Sequence, residues 1–80
     1  MNIRENIKNF LYDQNYYIGI FENNIYIFNY NALPKFNDRE ISVKMDNFKV
    51  NITGKNLKIT KMEEKELLIN GTINNIGFSK

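Results

Sequence analysis

Across residues 41–52 the sequence changes character at almost every step. Ile41, Val43 and Met45 alternate with Ser42 and Lys44; beyond Asp46-Asn47, Phe48, Val50 and Ile52 alternate with Lys49 and Asn51. A period of two is the mark of a strand with one dry face and one wet face. A two-residue turn at Asp46-Asn47 sets Met45 opposite Phe48, Val43 opposite Val50 and Ile41 opposite Ile52. Every apolar side chain then lands on one face, and a slip of one residue would turn the whole set into water.

The same period extends in both directions. Gly54-Lys55 reads as the next turn, with glycine where a type II′ turn favours it. That turn would bring Leu57 to Ile52 and Ile59 to Val50, completing a three-stranded meander. Glu63-Glu64-Lys65-Glu66 reads as a charged turn. Leu67, Ile69, Gly71 and Ile73 then share a strand face, and a bulge or turn at Asn74-Asn75 pairs Ile73 with Ile76 before Phe78.

Upstream, residues 16–22 and 25–30 read as two strands rich in β-branched and aromatic side chains. A turn at Asn23-Asn24 would place Phe21 opposite Tyr26, Gly19 opposite Phe28 and Tyr17 opposite Tyr30. One face is aromatic and the other carries Ile18, Ile20, Ile25 and Ile27, so both faces are expected to be covered. Residues 31–39 read as a connection that Pro34 bars from a ladder, with Leu33 and Phe36 against the core.

Before Asn15 the period is that of a helix. Ile3, Ile7, Phe10 and Leu11 make one apolar stripe, and Arg4, Glu5, Lys8 and Asn9 lie on the other side. A short helix over about residues 3–13 is predicted, too short to stand without docking on the sheet. With 80 residues there is material for one domain and one modest core. The expected fold is mainly β: a short N-terminal helix followed by a six- to seven-stranded antiparallel meander over about residues 16–78, forming a small sandwich or open roll.

The chain has no histidine and no cysteine. The commonest general base, the commonest zinc ligand and every disulfide are therefore missing. Serine, threonine and lysine remain as nucleophiles, with neither His nor Cys beside them. Glu5, Asp13, Glu22, Asp38, Glu40 and Asp46 read as solvated charges, and Glu63, Glu64 and Glu66 lack the ligand spacing of a calcium loop. The expectation is a protein that is not an enzyme and uses neither cofactor nor metal.

A net charge of +2, from 11 basic and 9 acidic side chains, argues against a dedicated nucleic-acid binder. No apolar run approaches the roughly 20 residues that span a bilayer, and the start lacks the layout of a secretory signal, so the expected compartment is the cytoplasm. One surface stands out. Lys44 faces Lys49 across the hairpin, and the meander places Lys58 on the same side opposite Asn51. Like charges in that position cost a few tenths of a kcal/mol, which an acidic protein or an anionic lipid surface would relieve. Simple solvation is the plainer alternative. The rings of Tyr17, Phe21, Tyr26, Phe28 and Tyr30 read as core or subunit interface.

The order of residues over 52–59 and 67–78 resembles a known family. Ile52, Gly54, Leu57 and Ile59, then a charged turn, then Ile69, Gly71, Ile73, Ile76 and Phe78 follow the apolar-and-glycine pattern of the YabP/YqfC family of sporulation proteins. The likeness covers about residues 17–78. It implies a protein of the mother cell in endospore-forming Firmicutes, needed for assembling the coat and cortex of the spore envelope and without catalytic activity. It also implies a protein partner, a membrane protein encoded alongside, and a place at the periphery of the forespore outer membrane, with homo-oligomers a further expectation. Gly54 and Gly71 match the family's glycines, and the implied role is in the backbone. Two alternatives are a small β-barrel that binds nucleic acid and a bactofilin-like self-assembling scaffold.

Overall fold

A computed structural model describes residues 15–80. They form six strands: β1 (Tyr17–Phe21), β2 (Asn24–Phe28), β3 (Ala32–Phe36), β4 (Glu40–Lys44), β5 (Lys49–Met62) and β6 (Glu66–Ser79). All pairings are antiparallel, in one sheet of order β1-β2-β6-β5-β4-β3. The sheet is open. The helix expected over residues 3–13 lies outside the described residues.

The alternating segment folds in the register its sequence demands. Ile41 pairs with Ile52, Val43 with Val50 and Lys44 with Lys49. The Met45 amide donates to the Phe48 carbonyl at 2.9 Å, which closes the turn at Asp46-Asn47.

Beyond Thr53 the structure departs from a simple meander. There is no turn at Gly54-Lys55: β5 runs straight through for 14 residues and pairs along its length with β6, which is equally long. Leu57 and Ile59 therefore do not fold back on Ile52 and Val50. Ile52 meets Ile76, Val50 meets Phe78 and Ile59 meets Ile69. A hairpin and a bulge leave the same trace in sequence, since both move the apolar positions from even to odd numbers. Here the shift comes from bulges. Asn56 takes a left-handed φ of 54°, and Asn56 with Leu57 stands opposite the single residue Gly71. Thr60 is an extra residue on β5, and Asn74 is one on β6 between Ile73 and Asn75. A bulge, not a hairpin, thus serves at Asn74-Asn75, and Ile73 pairs with Gly54 rather than Ile76.

Three bulges along one ribbon add twist and bend. The bend has a physical use. The first half of β5 is flanked by β4, and the first half of β6 by β2, so the two wings sit at opposite ends of the ribbon. Wrapping brings their apolar faces into one core of Ile25, Ile27, Ile41, Val43, Met45, Val50, Ile52, Leu57, Leu67 and Ile69, with Tyr30. Backbone bonds from two turns pin the bend: Gly54 and Leu57 donate to Arg39 and Asp38, and Gly71 donates to Asn23.

The two wings hold further corrections. The β1–β2 turn is Glu22-Asn23, not Asn23-Asn24, so Tyr17 faces Phe28, Gly19 faces Tyr26 and Phe21 faces Asn24. Tyr30 is not opposite Tyr17. Asn29 adopts a φ of 67°, and the chain leaves the ladder there, so that Tyr30 enters the core with its hydroxyl donating to the Glu63 carbonyl at 3.0 Å. Residues 32–36 are a strand and not merely a connection, because β3 is the sheet's edge and its pairing with β4 breaks register between Ala32 and Lys35. Pro34 falls in that gap, where no ladder bond is needed. Leu33 packs on the core, but Phe36 is exposed.

Candidate functional site

The lysines that the sequence grouped together are divided by the fold. Lys44 and Lys49 are direct cross-strand partners and both are exposed. Lys58 pairs with Asn70 on the far half of the ribbon, because β5 does not turn at Gly54-Lys55; Asn51 pairs instead with Ser42 and Gly77. The expected cluster of Lys44, Lys49 and Lys58 is thus drawn apart, with Lys58 on the other half of the ribbon. Lys80 takes the third place. With Lys44, Lys49, Met45, Asp46, Asn47 and Phe48 it lines a shallow groove of about 200 Å³ at the β4–β5 turn.

Ion pairs form elsewhere, at Lys35–Glu40 (3.0 Å) and Lys61–Glu66 (3.5 Å). Among the described residues none of Lys44, Lys49 and Lys80 has a carboxylate within salt-bridge distance. Asp46, the acid nearest in sequence, accepts a bond from the Asn31 side chain at 2.6 Å. An aromatic row borders this end of the molecule. Tyr16 meets Phe48 edge-on at 5.1 Å between centroids, and Phe48 meets Phe78 at 6.1 Å. Tyr16 and Phe78 are largely exposed. Sequence reasoning passed over Lys80 and this row, since only the long β5–β6 ribbon brings Phe78 beside Val50 and Phe48.

The aromatic set of the first hairpin divides as well. Tyr30 belongs to the core, Tyr17, Tyr26 and Phe28 are half-buried on the outer face, and Phe21 is 55% exposed. Tyr17 and Tyr26 lie 6.1 Å apart between centroids. The Tyr26 hydroxyl donates to Glu66 Oε1 at 2.7 Å. That bond, helped by Lys61 and opposed by partial burial, holds the Glu66 carboxyl below the usual carboxylate range.

Glu66 is thus committed to a structural contact. Among the described residues no group of three or more Asp or Glu side chains is placed to hold a metal ion, Glu63, Glu64 and Glu66 included. No charged or polar side chain among them is buried. No helix among them is long and apolar enough to cross a membrane.

Gly54 and Gly71 face each other's strands at the bend. A Cβ on Gly54 would fall inside the van der Waals envelope of the Thr72 carbonyl oxygen. Gly71 has a φ of 148°, and a Cβ there would lie 2.8 Å from the Asn56 carbonyl oxygen and 2.9 Å from Leu57 Cα. Both positions demand a bare backbone.

The described residues define a small antiparallel β domain with an open sheet, exposed edges, a glycine-pinned bend and paired lysines at one end. The chain belongs to the YabP family, which it matches over residues 21–80. Membership in this family points to a sporulation-related protein. No curated protein and no solved structure matches the chain.

Proposed function

We propose that this chain is a non-catalytic interaction protein of endospore formation, acting in assembly of the spore envelope by docking to itself or to a membrane-protein partner. Family membership supports the sporulation setting. The observation that carries docking is the apolar end of β1, a strand of uncharged residues in which Ile20 is 61% and Phe21 55% exposed. Large apolar side chains left in water at the end of a strand invite a partner surface.

The absence of a catalytic role is supported by composition, because a chain without His or Cys lacks the usual means of activating a nucleophile. The open sheet favours this reading over a closed nucleic-acid-binding barrel. It also differs from a bactofilin-like stack, since strands of five and fourteen residues do not make a repeating unit. Deleting the gene in an endospore-forming host and imaging the spore envelope tests the proposal. Engulfed forespores with incomplete cortex or coat, and few heat-resistant spores, are the expected outcome. A null strain with intact envelopes and normal spore counts would contradict it.

A further inference from the structure

Asn70-Gly71 is the one Asn-Gly pair in the chain. Asparagine is a thermolabile side chain, and it is most labile before glycine, where no Cβ shields the next peptide nitrogen. That nitrogen can bond to the side-chain Cγ and close a five-membered succinimide ring. The pair sits at the last rung of the β2–β6 ladder, with Asn70 opposite Asn24.

Three contacts with Asn23 and Asn24 hold both reacting groups. The Gly71 amide donates to the Asn23 carbonyl at 3.0 Å. Asn70 Nδ2 donates to the same carbonyl at 3.3 Å and to Asn24 Oδ1 at 3.0 Å. Ring closure needs the Gly71 amide to give up its proton and the carboxamide to swing over the nitrogen. The amide is engaged and the carboxamide is fixed. On its other side Asn70 pairs with Lys58 of β5, which keeps the peptide nitrogen in the plane of the sheet and the side chain perpendicular to it.

We propose that Asn70-Gly71 is a self-modification site that the β1–β2 turn holds shut, so that lifting of the turn sets the rate of reaction. In the opened state hydroxide takes the Gly71 amide proton and the nitrogen bonds to Asn70 Cγ. The Cγ–Nδ2 bond then breaks, and that nitrogen leaves as ammonia with a proton from water. Water next opens the ring at either carbonyl. Breaking the new N–Cγ bond leaves an aspartate. Breaking the original peptide bond leaves an isoaspartate, whose main chain runs through Cβ and Cγ and is one carbon longer.

Neither product restores all three contacts. A carboxylate has no proton to donate to the Asn23 carbonyl and brings a negative charge against it. An extra backbone carbon meets a crowded bend, since even a Cβ on Gly71 would lie 2.8 Å from the Asn56 carbonyl oxygen. The modification is therefore one-way, and it marks chains in which the turn has lifted. The end of a ladder is where such opening needs least free energy. The site stands whether or not the chain docks to a partner.

The test incubates the full chain at mildly alkaline pH and follows aspartate and isoaspartate at position 70 by peptide mapping. Wild type unfolded in guanidinium chloride is expected to react, and folded wild type to react slower by roughly tenfold or more, the ratio being set by the opening free energy. Asn24→Ala removes one of the three contacts. It should raise the folded rate by about two- to tenfold, the net worth of one hydrogen bond, and leave the unfolded rate unchanged. Folded and unfolded chains reacting alike, or neither reacting, would overturn the proposal. An Asn24→Ala rate no faster than wild type would do the same.

Hydrogen exchange at the Gly71 amide needs no variant. As guanidinium rises below the unfolding transition, exchange and modification of wild type should accelerate by the same factor, because both require the Asn23 contact to break. Modification that holds constant while exchange accelerates would overturn the gating. Isoaspartate chains, separated from unreacted ones, should exchange faster at Gly71 than wild type. Equal protection would overturn the one-way latch.

Discussion

Gly54 and Thr72 are in backbone contact across the β5–β6 ribbon, so close that the glycine hydrogen lies where no methyl group could. The nearest atom is the Thr72 carbonyl oxygen, and Leu57 Cδ2 closes the space 3.1 Å from the missing Cβ. Backbone cannot swing aside as a side-chain tip can. Gly54→Ala should therefore cost about 3 kcal/mol or more, in the range of severe core defects. Gly77→Ala is the control. Nothing lies within 4 Å of a Cβ there, and the change should stay within about 0.5 kcal/mol. Urea denaturation of the two variants beside wild type measures the difference.

The bend at Gly54 also explains what could and could not be read in advance. Alternation from Ile41 to Ile52 has one solution, and the structure adopts it. At Gly54-Lys55 the apolar positions shift phase, and a hairpin and a bulge produce the same shift. Choosing between them depends on β6, whose partner residues lie some twenty positions away. The position of Lys58 was lost with that choice. At Asn23-Asn24 the turn moved by one residue to Glu22-Asn23, yet the aromatic and isoleucine faces survived because the turn change preserved their parity. Pro34 in β3 was hidden for a different reason: only knowing that β3 is an edge makes a proline strand acceptable.

Tyr26 and Glu66 supply a pH-dependent contact. The Glu66 carboxyl is held below its ordinary value first by the Tyr26 hydroxyl. A depressed folded-state value means that the contribution is present above the unfolded value of roughly 4.3 and is lost as pH falls through the folded one. Tyr26→Phe should cost about 0.5 kcal/mol at neutral pH, a small figure because Glu66 is partly exposed. The gap between variant and wild type should close in acid. Thermal melts at pH 7 and pH 3 give both values.

Lys44 and Lys49 repel across the β4–β5 hairpin with no acid to relieve them among the described residues. Lys44→Glu turns the pair attractive and should stabilise the fold by about 0.2–1 kcal/mol at low salt. Raising the salt to about 1 M shrinks the Debye length to roughly 3 Å and should remove most of the gain. A stabilisation indifferent to salt would place its origin outside this pair. Urea midpoints at two salt concentrations decide it.

Ile69 stands in the first half of β6 with no exposed surface, paired with Ile25 on one side and Ile59 on the other. Ile69→Ala should cost about 2–5 kcal/mol, because a wrapped sheet held at its bend cannot collapse around the cavity. Phe36→Ala on the exposed edge strand should cost far less, within about 1 kcal/mol. The contrast locates the core on the enclosed face of the ribbon.

The most direct test of the account places Ile20→Lys at the native locus of an endospore-forming host and counts heat-resistant spores beside wild type, Thr72→Lys and the null strain. With Ile20→Lys protein accumulating to the wild-type level, its spore count should fall toward the null while Thr72→Lys stays near wild type. Full spore yield from Ile20→Lys would contradict the claim that this protein works through the exposed apolar end of β1.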